Sequence, residues 1–366
     1  MARALTETFE GGHLFRFGNQ VGVNGNAQVQ LYTSFPMFTT QMDGLRSLVC
    51  EGSDTRLTMA LPAASEYFIG FFFITTDPSL EYNGIGGSGT TGNHRILIFT
   101  EGGLQLGYIR INPLDQKLQL MIGGDVLTAS STQEQVFTAG TLYHIQVRVK
   151  CAGALSIVQV KLDDVLVIDW TGSLGGSVVD QLQWCGPGRS FADTSVTSYH
   201  FFDTIIINDT VPDTCPSGFT NDSWPGVRRI KVQLISGPGT YSQFTPVPTV
   251  PNYQNVDEVP NDGDTTVNYA LTTGLKDSFP TSPHGLSSAQ VTFTGWFQEV
   301  IARKNSGTFQ IKLGVRRAGT DYIQATGQNV GVSFDVFDHF LCTDPSSLAA
   351  WTGAGLDATE IIYQIS

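Results

Sequence analysis

Glycine or proline interrupts most windows of this 366-residue chain that are long enough to hold a helix, with 40 Gly and 16 Pro spread along it. Between the interruptions, apolar residues recur with a period of two. Ile145, Val147 and Val149 alternate with Gln146, Arg148 and Lys150, a pattern that sends one side of a strand into a core and the other toward solvent. Beyond Cys151-Ala152-Gly153, a run from Ile157 to Leu162 meets the acidic pair Asp163-Asp164, and Val165 to Trp170 follows. That order reads as strand, tight polar turn and returning strand. The rhythm repeats at Ile96 to Phe99, Leu104 to Ile109 and Leu118 to Ile122, with Gly102-Gly103, Asn112-Pro113 and Gly123-Gly124 between them. Strands of about six residues joined by short turns predict an antiparallel sandwich or barrel. The longest uninterrupted run, 189–211, is rich in the β-branched and aromatic residues that favour strands.

The character of the chain changes near residue 210, where Asn208 to Gly218 is turn chemistry throughout. The expected organisation is a large β domain over 1–210, a linker over 211–225 and a smaller β domain over 226–366. Further strands are expected at Val227 to Ile235, Ala289 to Ile301, Thr308 to Arg316 and Val330 to Leu341. A Pro-rich, acidic loop, 246–264, is expected to lie over the second domain or to touch a neighbour, since long structureless loops are uncommon inside compact domains.

Composition narrows the function classes. Only 14% of residues are charged, against about 25% in an average soluble protein, and 23 Phe supply ample apolar surface to bury. Disorder and coiled coils are thereby excluded. A net charge of −13 argues against binding a phosphate backbone, because such affinity comes mainly from Lys and Arg displacing counterions. No apolar run approaches the ~18 residues of a membrane span, and the first residues carry no apolar stretch of the kind found in a secretory signal. Neither nucleic-acid binding, membrane insertion nor secretion through a signal is expected.

Candidate chemistry is sparse. Cys50, Cys151, Cys185, Cys215 and Cys342 contain no C-x-x-C pair and read as buried small apolar residues. Gly84-Ile85-Gly86-Gly87-Ser88-Gly89 satisfies G-x-G-x-x-G, yet a strand and not a helix is expected after it, so a hairpin or lid loop is the reading. A sandwich glycosidase needs two carboxylates flanking the scissile bond. Glu10, Glu51, Glu66, Glu81, Glu101 and Glu134 stand singly. No G-x-S-x-G elbow occurs, and the six histidines are isolated. These observations lead to the expectation that the chain is not an enzyme and carries no cofactor. The acidic cluster Asp257, Glu258, Asp262 and Asp264 is the best cation candidate, because Ca²⁺ takes several oxygens from a flexible loop, although EF-hand spacing is absent. Sugars stack on exposed aromatic rings beside polar groups. Trp184, Tyr82 and Tyr241, each next to Gly or polar residues, are the candidate ligand-binding residues, while Trp170 and Trp296 read as core.

Several segments resemble known families. Val136-Phe137-Thr138-Ala139-Gly140-Thr141-Leu142-Tyr143-His144-Ile145-Gln146-Val147, the Leu162-Asp163-Asp164 turn and Phe202-Asp203-Thr204-Ile205-Ile206-Ile207 resemble strands of the concanavalin-like, laminin-G-like jelly rolls. Further along, Trp224-Pro225-Gly226-Val227-Arg228-Arg229-Ile230, Gln243-Phe244-Thr245-Pro246, Tyr253-Gln254-Asn255-Val256-Asp257-Glu258, Asp262-Gly263-Asp264-Thr265-Thr266, Lys276-Asp277-Ser278-Phe279 and Trp351-Thr352 with Leu356-Asp357-Ala358 form an ordered series. The series resembles a family of tailed-bacteriophage virion proteins in which a laminin-G-like jelly roll precedes a small β domain; Phe244 stands where that family usually has Trp. The resemblance implies an all-β chain, a jelly-roll sandwich followed by a smaller β-sandwich. It also implies a virion structural role (head decoration, tail, fibre or spike) through contacts with other virion proteins and with copies of itself. The alternative is a carbohydrate-binding adsorption module that recognises host surface glycans.

Overall fold

A computed structural model describes residues 3–7, 18–21, 27–31, 46–51, 56–76, 78, 94–112, 114–123, 126–130, 136–186, 199–210, 223–226, 233–256, 265–286 and 293–366. The chain is all-β and divides into two compact units, the first holding the described residues up to 210 together with 223–226, the second those from 233 onward. Among the described residues no helix is long and apolar enough to cross a membrane.

Among the described residues the first unit is a two-sheet sandwich of fifteen strands. In chain order they are β1 (Arg3–Glu7), β2 (Gly18–Val21), β3 (Ala27–Leu31), β4 (Arg46–Glu51), β5 (Arg56–Ala64), β6 (Glu66–Thr75), β7 (His94–Glu101) and β8 (Leu104–Ile111). They continue with β9 (Leu118–Ile122), β10 (Val126–Ser130), β11 (Tyr143–Lys150), β12 (Ser156–Leu162), β13 (Val165–Gly172), β14 (Val179–Cys185) and β15 (Tyr199–Asn208). One sheet runs β13-β12-β11-β6-β15-β4-β3, with β1 also on β15; the other runs β10-β9-β8-β7-β14-β5-β2. All pairings are antiparallel, and the non-sequential neighbours make this a jelly roll. Asp163 and Asp164 close the β12–β13 hairpin with φ of 49° and 66°, the left-handed pair that a two-residue hairpin turn requires.

Between the sheets lies one continuous core. Phe71, Phe73, Phe99, Phe137, Tyr143, Trp184 and Phe202 are wholly buried in it, and each such aromatic contributes about 2–3 kcal/mol of burial. Phe73 meets Phe137 edge-on at 5.9 Å, and Phe137 meets Tyr143 at 4.5 Å. The alternation of β11 is as expected on its inward side, where Ile145, Val147 and Val149 belong to this core. Its outward side differs from expectation, for His144 and Gln146 are buried too. The cause is the short segment 223–226, which straps across the outward face of that sheet. Trp224 packs edge-on against Phe68 at 5.7 Å under the Lys161 ammonium at 4.4 Å. The Gly226 N–H donates to Gln146 Oε1 at 2.8 Å, and Asn208 Nδ2 donates to the Ser223 carbonyl at 2.9 Å. Pro225 sits over Gly70, where a Cβ would meet its ring at 3.2 Å.

The second unit is smaller. Its strands are β16 (Thr245–Val247), β17 (Val267–Tyr269), β18 (Lys276–Pro280), β19 (Trp296–Ala302), β20 (Gln310–Arg317), β21 (Thr320–Ile323), β22 (Gln328–Asn329), β23 (Asp335–Leu341) and β24 (Thr359–Ile365). A five-stranded sheet, β18-β24-β20-β21 with β22 on β20, accompanies the pairs β19-β23 and β16-β17. Phe244, Phe279, Ile311, Leu313, Val330, Phe337 and Tyr363 form its core. The strand expected over Val330 to Leu341 starts only at Asp335, while Val330, just beyond β22, is buried in the core. Part of the Pro-rich loop is pinned by a buried carboxylate. Asp277 accepts from the backbone N–H groups of Gln243 (2.6 Å) and Phe244 (3.0 Å) and from Asn252 Nδ2 (2.6 Å). Burial raises the Asp277 pKa even though these donors pull the other way.

Cys50, Cys151 and Cys185 are buried free thiols, as their reading as small apolar residues required. Cys342 departs from it, being disulfide-bonded.

Candidate functional site

The outward face of the seven-stranded sheet is where polar groups collect. Strand alternation sends Leu182 and Trp184 of β14 inward and Gln181 and Gln183 outward. Register then aligns Thr58, Gln183, Ile98, Tyr108 and Met121 as one row across β5, β14, β7, β8 and β9. A second row holds Ala60, Gln181, Thr100 and Gln105. The floor of the first row is apolar and closed: Ile98, Tyr108, Met121 and Cys185 form a small cluster separate from the main core. Beside it the Arg95 guanidinium lies 4.5 Å over the Tyr108 ring, and Arg110 Nε donates to Gln119 Oε1 at 2.9 Å. Toward β5 and β14 the face opens. Thr58 and Gln183 are half-buried there and Gln105 is half-buried on β8; none of the three side chains has a hydrogen-bond partner among the described residues. Thr100 Oγ1 reaches Gln181 Oε1 at 3.4 Å.

The aromatic residues singled out from sequence fall in different parts of the chain, Trp184 in the first unit and Tyr241 in the second. Trp184 is fully buried in the sandwich core, which removes it as a stacking platform. It shares the inward side of β14 with Leu182, and that parity overrides its polar neighbours in sequence. Tyr241 lies in the second unit, half-buried, with the Lys276 and Arg316 cations each 5.3 Å from its ring centroid. Its hydroxyl donates to Asp321 Oδ2 at 3.0 Å. Burial alone would raise Asp321, yet the hydrogen bonds from Lys276, Arg316 and Tyr241 hold it below the usual carboxylate range. Tyr241 is thus one member of an internally matched ion network. Tyr82 and the acidic residues Asp257, Glu258, Asp262 and Asp264 lie outside the described residues. Among the described residues no cluster of three or more His, Cys, Asp or Glu is arranged to hold a metal ion.

Sequence reasoning missed Thr58, Gln105 and Gln183. The sequence signal for Gln183 lies in Gln181-Leu182-Gln183-Trp184, where two amides at i and i+2 alternate with inward apolar residues.

No protein-family model matches the chain, and no curated protein is similar to it. Solved structures are similar in fold at low identity. A sialidase is 13% identical, with a TM-score of 0.41 over 57% of this chain and 19% of its own. Alginate lyase Aly36B is 15% identical, with a TM-score of 0.34 over 44% of this chain and 80% of its own. The carbohydrate-binding module CBM66 from Bacillus subtilis is 13% identical, with a TM-score of 0.29 over 52% of this chain and 98% of its own. The chain therefore spans about a fifth of the sialidase. A sialidase, alginate lyases and a carbohydrate-binding module are thus among the solved structures it is similar to. One expectation is corrected here: with a sialidase and alginate lyases among the similar structures, the exclusion of an enzyme is withdrawn.

Proposed function

We propose that the first unit recognises carbohydrate on the open part of the seven-stranded sheet's outward face. The observation that carries this reading is the half-buried side chains of Thr58 and Gln183 in one row and Gln105 in the next, none with a hydrogen-bond partner among the described residues, on the face where Arg95 lies over Tyr108. A primary amide offers two donors and an acceptor, and a hydroxyl offers both roles, so these groups match sugar hydroxyls that also donate and accept. A half-buried polar group gains from such a partner, since net hydrogen bonds are worth about 1 kcal/mol each. Host surface glycans are the proposed ligands, and repeated copies on a particle would strengthen a modest single-site affinity.

The experiment is a glycan array on the full chain, followed by titration calorimetry on any hit. Gln183→Ala and Gln105→Ala should each weaken binding by about fivefold, the effect of one lost hydrogen bond. Binding that is absent from the array, or unchanged in both variants, refutes the reading. A second reading places the chain on a bacteriophage particle, docked against other virion proteins. The ordered motif series from Trp224 to Ala358 favours it. Mass spectrometry of purified particles tests that placement directly.

A further inference from the structure

The segment 223–226 closes over a titratable group. His144 of β11 is buried on the outward face of its sheet, with the Phe72 ring at 5.0 Å. Its Nε2 and the Pro225 ring converge on Gly70, where a Cβ would lie 3.7 Å from the one and 3.2 Å from the other. Its Nδ1 is buried and has no hydrogen-bond partner among the described residues. Beside it, the wholly buried Gln146 ties the segment to the β12–β13 hairpin. That amide accepts from the Gly226 N–H at 2.8 Å and donates to Asp164 Oδ1 at 2.7 Å.

Asp163 and Asp164 of the hairpin act on His144 electrostatically, and Asp163 Oδ1 also accepts from the His144 N–H at 2.9 Å. Asp203 of β15 lies beyond Phe72 in the same row. Lys161 of β12 sits on the Trp224 ring, while Glu66 pairs with Arg148 and Lys150 farther along β6 and β11. Ser223-Trp224-Pro225-Gly226 itself carries no titratable side chain. A proton on Nδ1 puts a charge and a second N–H donor between Phe72 and Pro225, where water is excluded. The hairpin carboxylates favour that charge, but burial outweighs them and holds the imidazole below its ordinary 6.5. Once the segment lifts, water reaches both ring nitrogens and the imidazole titrates normally.

We propose that 223–226 is an acid-released latch: protonation of His144 lifts it off the sheet, uncovers the Phe68 ring beneath Trp224, and frees the stretch of chain that joins the two units. The latched form binds the proton less readily than the open form. Latching is therefore complete above pH 6.5 and weakens as the pH falls.

Hydrogen exchange of the full chain at 223–226, corrected for the intrinsic pH dependence of exchange, reads the opening through the Gly226 N–H that Gln146 holds. Between about pH 8 and 5 the opening constant should rise at least about fivefold, within the limit of about tenfold per unit below 6.5. Amides of β6 and β15 report the whole sandwich and should change less. In His144→Phe and His144→Gln, neither of which titrates, the rise should disappear; the second variant guards against a packing defect in the first. Equal protection of 223–226 at both pH values overturns the proposal. So does a rise that persists in both variants, which would place the titrating group on the hairpin carboxylates. Loss of protection at 223–226 in step with β6 and β15 overturns it too, because the event is then global unfolding.

Discussion

Replacing His200 with glutamine should make the first unit markedly less sensitive to acid. His200 is wholly buried on β15, 5.0 Å from the Phe73 ring and 6.0 Å from His94, with Nδ1 2.9 Å from the Cys185 carbonyl. Burial first, and then the neighbouring His94, lower its pKa from 6.5 to about 3, against a smaller opposing pull from the Cys185 carbonyl. The folded state thus binds this proton less readily than the unfolded chain. The stability contributed is complete above pH 6.5 and is lost as the pH falls toward 3. Within that window the slope is about 1.4 kcal/mol per pH unit, or about 2.7 kcal/mol between pH 8 and 4.5. Glutamine keeps a donor near the carbonyl but does not titrate. Its own packing cost offsets the curve at every pH without tilting it. His94, Cys50 and Cys185 surround the site, and His144 and His339, both lowered by burial, add slopes common to both proteins. Native-state hydrogen exchange of the β6 and β15 amides, measured across the pH series, isolates the first unit from the second. Equal losses in wild type and His200→Gln between pH 8 and 4.5 would refute the reasoning.

Gly70→Val should lower stability by about 1–3 kcal/mol, because the strap at Pro225 must move, with Gly70→Ala milder; thermal melts of the two variants measure the difference. Asp277→Ala should cost about 3–5 kcal/mol by orphaning the buried donors of Gln243, Phe244 and Asn252, read as urea unfolding of the second unit. Reducing the disulfide at Cys342 should lower stability by about 2–4 kcal/mol, visible as a lower Tm in reductant, while the free buried thiols contribute nothing to that shift.

Much of the sandwich was legible because strand period and turn chemistry are local. Asp163-Asp164 marked a hairpin, and the alternation from Ile145 to Lys150 named the inward side of β11 correctly. Its outward side was illegible, since Trp224 and Pro225 reach it from far along the chain and bury Gln146. The candidate site failed for a related reason. The polar neighbours of Trp184 point to an exposed ring, whereas its parity with Leu182 decides which way it points. Thr58 is brought beside Gln183, and Gln105 onto the same face, only by sheet order, which no local pattern encodes. Asn252 is similar: it sits in a loop by composition, yet it serves as a buried ligand of Asp277.

The contact between Gly70 and Pro225 ties two distant positions to one volume. Bulk gained at one can be accommodated only by bulk lost at the other. In a set of divergent relatives these positions should therefore drift together, and a relative with a large residue at the first should have lost the proline ring at the second.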